Sequence, residues 1–370
     1  QFNVEKFKTL SDIKHIPLLK KKELIFLQSI GPRLGGLLTK DIGELKRIFL
    51  SPGPIFDPED RMDDYWGYTE AFYSVGFRPG DVVQVTFNYH LSPAGLMFEE
   101  PLRNLGCASI PAGPTDPGTQ LDIMQKLRVS GYVGTASYLM HLAQKAEEKG
   151  INLRKDLFQE VAFVTGERLS EKMRNQLEKK FDIILRQGYG TADVGCIGYE
   201  CFHKTGLHIS NRCYVEICHP DTGIPLKDGE VGEIVVTSFN KTYPLIRLAT
   251  GDLSYIDRSP CPCGRTSPRL GSIVGRVDTT ARISGMFVYP HQVEQVMSRF
   301  EEIKRWQIVV TNPDGIDEMT LNIEASEFKR RDELLQQFRE KIKLRPELKV
   351  LAPGSLPPQV RSIDDKRHWD

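Results

Sequence analysis

Long apolar runs are missing from this sequence. No run in the 370 residues approaches the roughly 18–20 that a membrane-spanning helix needs, so no span is expected. Net charge is missing too: Lys+Arg and Asp+Glu both number 49, which argues against bulk binding to nucleic acid or to an anionic membrane surface. No charged segment followed by an apolar core opens the chain, so a secretory signal is not expected. The start at Gln1, in mid-pattern and without Met, reads as a chain whose N-terminal portion is missing or processed. Cysteines are too few and too uneven for a disulfide framework: seven, at 107, 196, 201, 213, 218, 261 and 263. That usage fits a reducing compartment and a cytoplasmic protein, with some thiols available to a metal. Internal repeats and low-complexity tracts are also lacking.

The chain is long enough for two or three domains. Its 40% hydrophobic and 26% charged residues are those of a soluble globular protein. Residues 7–29 are charged and helical in flavour, with Lys20, Lys21 and Lys22 read as a solvated basic run. Residues 31–60 are loops rich in Gly and Pro, ending in Ser51-Pro52-Gly53-Pro54 after the apolar Ile48-Phe49-Leu50.

Short β-type runs at 82–87, 107–111, 131–134, 161–164 and 183–186 alternate with helical stretches. This spacing predicts parallel βαβ units. In the helix at 137–149, Tyr138, Leu139, Leu142, Ala143 and Ala146 share one face, and Gly150 caps its end. Ser170 is the expected N-cap of the next helix. After about residue 205 short strands separated by turns, among them 214–217, 232–237 and 245–248, indicate a β-rich subdomain extending to about 275. From 279 the pattern is α+β, with a helix near 291–300, a hairpin joining 307–310 to 319–325, and a charged helix at 328–343. The expected fold class is α/β: a large N-terminal domain of α/β layers over 1–277, then a small mobile α+β domain over 279–370.

Two segments fall at the carboxyl ends of expected parallel strands, where open α/β sheets gather ligands. One is Thr165-Gly166-Glu167. The other is Gln187-Gly188-Tyr189-Gly190-Thr191-Ala192-Asp193. Glycines flanking a tyrosine permit unusual backbone geometry and close approach of a ligand. An aromatic ring there can stack on a base, and Asp193 can face a metal or the phosphates. The plainer reading is a strand end with a turn.

Taken together, several motifs resemble the phenylacetate–CoA ligase branch of the acyl-adenylate-forming (AMP-binding) superfamily. They are Thr165-Gly166-Glu167, Tyr189-Gly190-Thr191-Ala192-Asp193, Pro244-Leu245-Ile246-Arg247 with Thr250-Gly251-Asp252-Leu253, Cys261-Pro262-Cys263-Gly264-Arg265-Thr266, Gly275-Arg276-Val277-Asp278, and Gly285-Met286-Phe287-Val288-Tyr289-Pro290. They occur in the family's order and span about residues 8–366, with the family's usual N-terminal section shortened.

The resemblance implies an AMP-forming acid–CoA ligase using ATP, Mg²⁺ and CoA on an aryl or small organic acid. The acid attacks the α-phosphate of ATP to give an acyl-adenylate and pyrophosphate, and CoA then displaces AMP. It also implies roles. Tyr189 stacks on adenine, with Gly166, Glu167, Gly188, Gly190 and Thr191 around it. Asp252 accepts hydrogen bonds from the ribose hydroxyls. Arg276 pairs with phosphate oxygens. Asp193 faces Mg²⁺ or a phosphate-bound water. Asp278 is the hinge about which the C-terminal domain turns. For Asp252 and Arg276 the plainer reading is a surface salt bridge. Tyr89, His90 and Tyr132 are candidates for the acyl pocket, or equally for core and structural positions.

Three departures bear on adenylation. The family's phosphate-cradling loop is rich in Ser, Thr and Gly and ends in Gly-Lys-Pro. Here Ser51-Pro52-Gly53-Pro54-Ile55-Phe56 stands in its place, with no lysine and with prolines that cannot donate N–H. The acidic residue of the tyrosine motif is Asp193, one methylene shorter than Glu. Arg361 lies where the family has a catalytic lysine, and keeps the charge but not its compact geometry. These departures keep open a second function: a degenerate AMP- or acyl-adenylate-binding protein with a regulatory role. Transfer to a carrier protein instead of CoA is a further alternative, and a homodimer is compatible with either.

Cys201, His208, Cys261 and Cys263 form a candidate Cys₃His zinc set, with His203 as a competing ligand. The spacing is not the usual Cys-x2-Cys, and the branch carries a similar pattern. The expected role is structural. The alternative is a set of reduced, partly buried thiols with a surface histidine.

Overall fold

The computed structural model describes residues 7–51, 54–277, 281–283, 286–311, 313, 318–357 and 362–367. Asp278, Gly285 and Arg361 lie outside the described residues. The chain forms two compact units. One is Gln1–Thr250 with Tyr255–Ser272; the other is Gly251–Ser254 with Ile273–Asp370.

The first unit opens with β1 (Leu19–Lys20) and α1 (Lys21–Ile30). A two-stranded hairpin of β2 (Arg47–Ser51) and β3 (Ile55–Glu59) comes next. There follow α2 (Thr69–Val75), β4 (Val82–Val85), α3 (Ala94–Asn104), β5 (Ala108–Pro111), α4 (Pro117–Lys126), β6 (Gly131–Gly134), α5 (Ala136–Glu148), β7 (Val161–Val164), α6 (Glu171–Phe181) and β8 (Ile184–Thr191). The remaining strands are β9 (Gly195–Glu200), β10 (Leu207–Ile209), β11 (Cys213–Cys218), β12 (Gly232–Ser238), β13 (Leu248–Ser254), β14 (Ile256–Asp257) and β15 (Arg269–Leu270).

A nine-stranded sheet has the order β14-β15-β10-β9-β8-β7-β6-β4-β5. Pairing is parallel from β5 to β8 and antiparallel from β8 to β14. The parallel strands are short and apolar because helices cover both faces. Alternate residues face opposite sides. Val83, Val85, Val133, Val161 and Phe163 pack with α2 and α3. Tyr132, Ala162, Val164 and Leu185 pack with α4, α5 and α6. In α5 the buried face is Leu139, Leu142, Ala143 and Ala146. Side chains cap the helices at Asp116, Thr135 and Ser170, each accepting one of the N–H groups a helix start leaves free. A second sheet has the order β1-β13-β12-β11. Among the described residues no helix is long and apolar enough to cross a membrane.

Two expectations are corrected. Residues 245–248 are not a strand; β13 begins only at Leu248. Arg247 sits at φ 50. That turn sends its buried guanidinium to Glu216 at 3.0 Å and to the carbonyls of Lys14, Ile16 and Gly223. The segment 187–191 is not a loop: β8 continues through Thr191, with a bulge between Tyr189 and Gly190 where it pairs with β9. The turn proper is Ala192-Asp193-Val194.

In the second unit, Asp252 and Leu253 of β13 pair antiparallel with β16 (Gly275–Arg276). A hairpin of β17 (Ala281–Ile283) and β18 (Met286–Val288) follows, then α7 (Pro290–Met297), β19 (Arg305–Thr311), β20 (Glu318–Glu324), α8 (Arg331–Ile342), β21 (Glu347–Leu351) and β22 (Ile363–Asp365). The last four strands form a sheet of order β21-β20-β19-β22. Its core includes Ile308, Val310, Leu321, Ile323, Leu334 and Phe338.

Candidate active site

Strands β7 and β8 lie side by side in parallel, with Val164 opposite Gln187. Thr165-Gly166-Glu167 therefore leaves the sheet beside the Gly188–Thr191 stretch. Gly166 needs its glycine, at φ +83. Glu167 caps the start of α5: its carboxylate accepts from the Ser137 backbone N–H at 2.6 Å and from the Ser137 hydroxyl at 2.8 Å. Gly188 and Gly190 are required by close packing against the protein itself. A Cβ at Gly188 would lie 2.2 Å from the Phe163 ring, and one at Gly190 2.2 Å from the Tyr68 hydroxyl and 2.3 Å from the Gly195 carbonyl. Tyr189 and Thr191 are half-buried.

Asp193 is sealed in, with its side chain 1% exposed. Its Oδ2 takes Lys21 Nζ at 2.7 Å. Lys21 therefore leaves the solvated basic run expected for it. It opens α1, and its ammonium reaches the turn after β8. The segment expected to stand in for the phosphate-cradling loop, 51–56, falls within the hairpin β2–β3. Gln28 of α1 clamps it, accepting from Phe56 N and donating to Phe56 O. Asp57 and Pro58 lie within β3, opposite Phe49 and Ile48 of β2.

Asp57 is 1% exposed, and neither of its oxygens has a hydrogen-bond partner among the described residues. Burial, and next the charge of Asp193, push its carboxyl up to about 7; Ser51 and Lys21 pull it down by less. Asp193 Oδ1 and Thr191 Oγ1 are likewise buried without a partner. Sequence reading missed both Asp57 and Lys21. Nothing local marked either one.

In the second unit Arg276 and Asp252 face each other across β16 and β13. Arg276 Nη1 donates to Asp252 Oδ1 at 2.9 Å, with the arginine side chain 49% exposed and the aspartate 16%. The residues expected to meet the phosphate and the ribose thus form one partly exposed ion pair.

The acyl-pocket candidates separate. Tyr132 is core: fully buried, its hydroxyl donates to Thr135 O at 3.0 Å and accepts from Thr86 Oγ1 at 3.2 Å. His90 is exposed and sits on the Asn88 carboxamide. Tyr89 lies over Gly95, where a Cβ would meet its ring at 2.6 Å. Its buried hydroxyl lacks a partner among the described residues, and burial holds its pKa above the usual phenol value.

The four candidate metal ligands converge. Cys201 follows β9, His208 lies in β10, and Cys261 and Cys263 lie between β14 and β15. Their ligand atoms all fall within 4.8 Å of one another. Cys201 Sγ and Cys261 Sγ are 3.7 Å apart, and Cys263 Sγ is 3.4 Å from His208 Nε2. Tetrahedral zinc with Zn–S of about 2.3 Å separates two sulfurs by about 3.8 Å, so the donor set fits. His208 Nδ1 rests on the Ser267 hydroxyl at 3.2 Å, leaving Nε2 for the metal. Burial pushes the Cys201 thiol up to about 11. Against the same effect of burial, bonds from the Cys263 backbone and from Thr205, Cys263 and His208 bring Cys261 down to about 5. His203 is not part of this cluster.

Residues 66–241 match the family described as AMP-binding enzyme, and residues 285–367 the AMP-binding enzyme C-terminal domain. The chain is 30% identical to the phenylacetate-coenzyme A ligase of Thermus thermophilus over 339 residues, covering 87% of this chain and 74% of the relative. It is 26% identical to the phenylacetate-coenzyme A ligase of Escherichia coli over 380 residues, 95% of this chain and 84% of that one. Among solved structures, an open conformation of a 2-hydroxyisobutyryl-CoA ligase in complex with 2-HIB-AMP and CoA superposes with a TM-score of 0.86. That structure is 24% identical and covers 98% of this chain and 85% of its own.

Proposed function

The chain belongs to the AMP-binding enzyme family, and we propose that it is an AMP-forming acid–CoA ligase acting on an aryl or small organic acid. In the first half-reaction a carboxylate oxygen bonds to the α-phosphorus of ATP and pyrophosphate leaves. In the second, the CoA thiolate bonds to the acyl carbon and AMP leaves. The observation that carries this reading is the pairing of β7 with β8, which sets Gly166-Glu167 beside Gly188-Tyr189-Gly190 at neighbouring carboxyl ends. Tyr189 would stack on adenine there. Asp252 would exchange its bond to Arg276 for the ribose hydroxyls, and Arg276 would turn to the phosphate, where a charge-assisted bond gains as charge develops.

Asp193 has a buried oxygen without a hydrogen-bond partner among the described residues, which suits Mg²⁺, and the ion would neutralise phosphate charge. Cys201, His208, Cys261 and Cys263 would hold a structural zinc; four protein ligands leave it no open position for chemistry. A hinge at Asp278, a contribution from Arg361, a homodimer and a cytoplasmic site of action belong to the same reading.

The test supplies ATP, Mg²⁺ and CoA with a panel of aryl and small aliphatic acids and quantifies AMP, pyrophosphate and thioester. Acid-dependent AMP in equal amount to thioester is expected. A folded sample that releases no AMP with any acid overturns the reading.

A further inference from the structure

Strand β8 changes its kind of pairing just before Tyr189. Residues 184–187 pair in parallel with β7, and from Gly188, opposite Tyr199, the strand pairs antiparallel with β9. A side chain of β9 holds the strand at that joint. Glu200, 2% exposed, accepts from the Gln187 backbone N–H through Oε2 at 2.9 Å and from the Gln187 carboxamide Nε2 through Oε1 at 2.9 Å. The same two oxygens take Arg174 of α6: Nη1 donates to Oε2 at 2.9 Å and Nη2 to Oε1 at 2.7 Å. All four acceptor positions of the carboxylate are in use. Arg174 is fully buried and also donates to the Leu185 carbonyl at 3.1 Å, two residues before Gln187.

As a source of stability, a buried ion pair gains little over apolar side chains of the same volume. What this one fixes is a place. It grips Gln187 by both main chain and side chain, directly before Gly188-Tyr189-Gly190. The two glycines have no side chains with which to anchor the ring between them, so the setting of that ring depends on how the strand enters. We propose that Glu200, held by Arg174, is a positioning residue for nucleotide binding: it sets the Gly188–Gly190 backbone and with it the ring that Tyr189 offers to adenine. This rests on the reading of Tyr189 as the stacking residue and adds to it two buried groups that act through Gln187.

The test titrates AMP into the full chain by calorimetry and compares the affinities with melting curves and with the KM values for ATP and for the acid. Arg174→Met/Glu200→Leu replaces the pair by apolar groups and takes both bonds from Gln187. It should fold, and its AMP affinity should fall roughly tenfold, as for the loss of a hydrogen bond to a charged group. The KM for ATP should rise with it, while the KM for the acid stays unchanged. Arg174→Lys leaves a cation beside Glu200 and the carboxylate on Gln187. It should melt lower than the wild type yet bind AMP with close to wild-type affinity. Gln187→Met keeps the ion pair, removes only the carboxamide arm from a half-buried position, and should weaken AMP by a smaller factor. Affinity that follows the bonds to Gln187 and not the melting temperature separates positioning from general support of the fold. Wild-type AMP affinity in the double variant or in Gln187→Met, or an equal rise in both KM values, overturns the inference. With acid-dependent AMP release by the wild type, such a result leaves the ligase reading standing. A wild type that binds no AMP overturns both.

Discussion

Asp257 illustrates how a single carboxylate ties two segments of the β-rich region. The Ser259 hydroxyl and backbone N–H and then the Arg269 guanidinium bring its pKa from 3.8 down to about 2. A depressed folded-state value means that the stabilisation is complete above the unfolded value near 3.8. It is lost as pH falls through about 2. Asp257→Asn should therefore lower stability at neutral pH and flatten its decline in acid. The carboxylate side chain is 35% exposed, so solvent screening keeps the effect within about 1 kcal/mol. Urea unfolding at a series of pH values checks this; a variant as acid-sensitive as the wild type contradicts it. Single residues of this kind are the least legible part of a sequence. Lys21 looks like any solvated lysine until its partner Asp193 is placed, 172 residues away. Asp57 was not marked in the sequence, and its burial comes only with the hairpin's packing.

Among the elements, β8 carries both halves of the large sheet, and its position depends on a buried ion pair. Arg174 of α6 is fully buried and donates to both Glu200 oxygens, at 2.9 and 2.7 Å, and to the Leu185 carbonyl at 3.1 Å. Glu200 in turn accepts from the Gln187 backbone N–H at 2.9 Å, two residues before Tyr189. Arg174→Met should cost about 3–5 kcal/mol, since it leaves Glu200 buried and unpaired. The double variant Arg174→Met/Glu200→Leu should recover part of that loss. Denaturant midpoints measure both; a single variant as stable as the wild type contradicts the assignment.

At this scale the sequence was informative where burial was symmetric. Strands β4, β6 and β7 are short, mostly apolar runs because both faces are covered, and α6 announced itself through Ser170 as its cap. It was uninformative where one side chain overrode the local pattern. The run Leu245-Ile246-Arg247-Leu248 has strand composition, yet Arg247 turns out of line to satisfy carbonyls on Lys14 and Ile16. At Gly188 and Gly190 a side chain would meet the Phe163 ring and the Tyr68 hydroxyl, so packing alone already requires both glycines.

At the scale of the whole molecule, the first unit carries the Gly166–Glu167 and Gly188–Thr191 segments and the second carries the Asp252–Arg276 pair. The motifs for both were readable because each is local. The candidate metal ligands were readable as a weak Cys₃His pattern that the resemblance strengthened, since their spacing is unusual; their convergence within 4.8 Å is a property of the fold. Purified protein should contain about one zinc per chain, because a closed site takes one ion in tetrahedral coordination. Stripping it with a chelator should lower the melting temperature by several degrees, at roughly 2–4 °C per kcal/mol for a domain of this size. Elemental analysis and a melting curve with zinc added back decide the matter. Absence of metal from protein grown with ample zinc, and no response to adding it, contradicts the prediction.

The return of β15 to the nine-stranded sheet, between β10 and β14, has a consequence for the unfolded chain. Between β10 and β15 the backbone leaves to build β11, β12 and β13, then comes back to pair Leu207 with Leu270. The ends of that excursion must find each other across a long stretch of disordered polymer. Cys201 and Cys261 are 60 residues apart along it. A crosslink at that separation removes chain entropy from the unfolded ensemble worth about 4 kcal/mol in the simple loop-closure treatment. A metal clasp there would act mainly on the random coil, by denying it configurations, and much less on the contacts of the folded sheet.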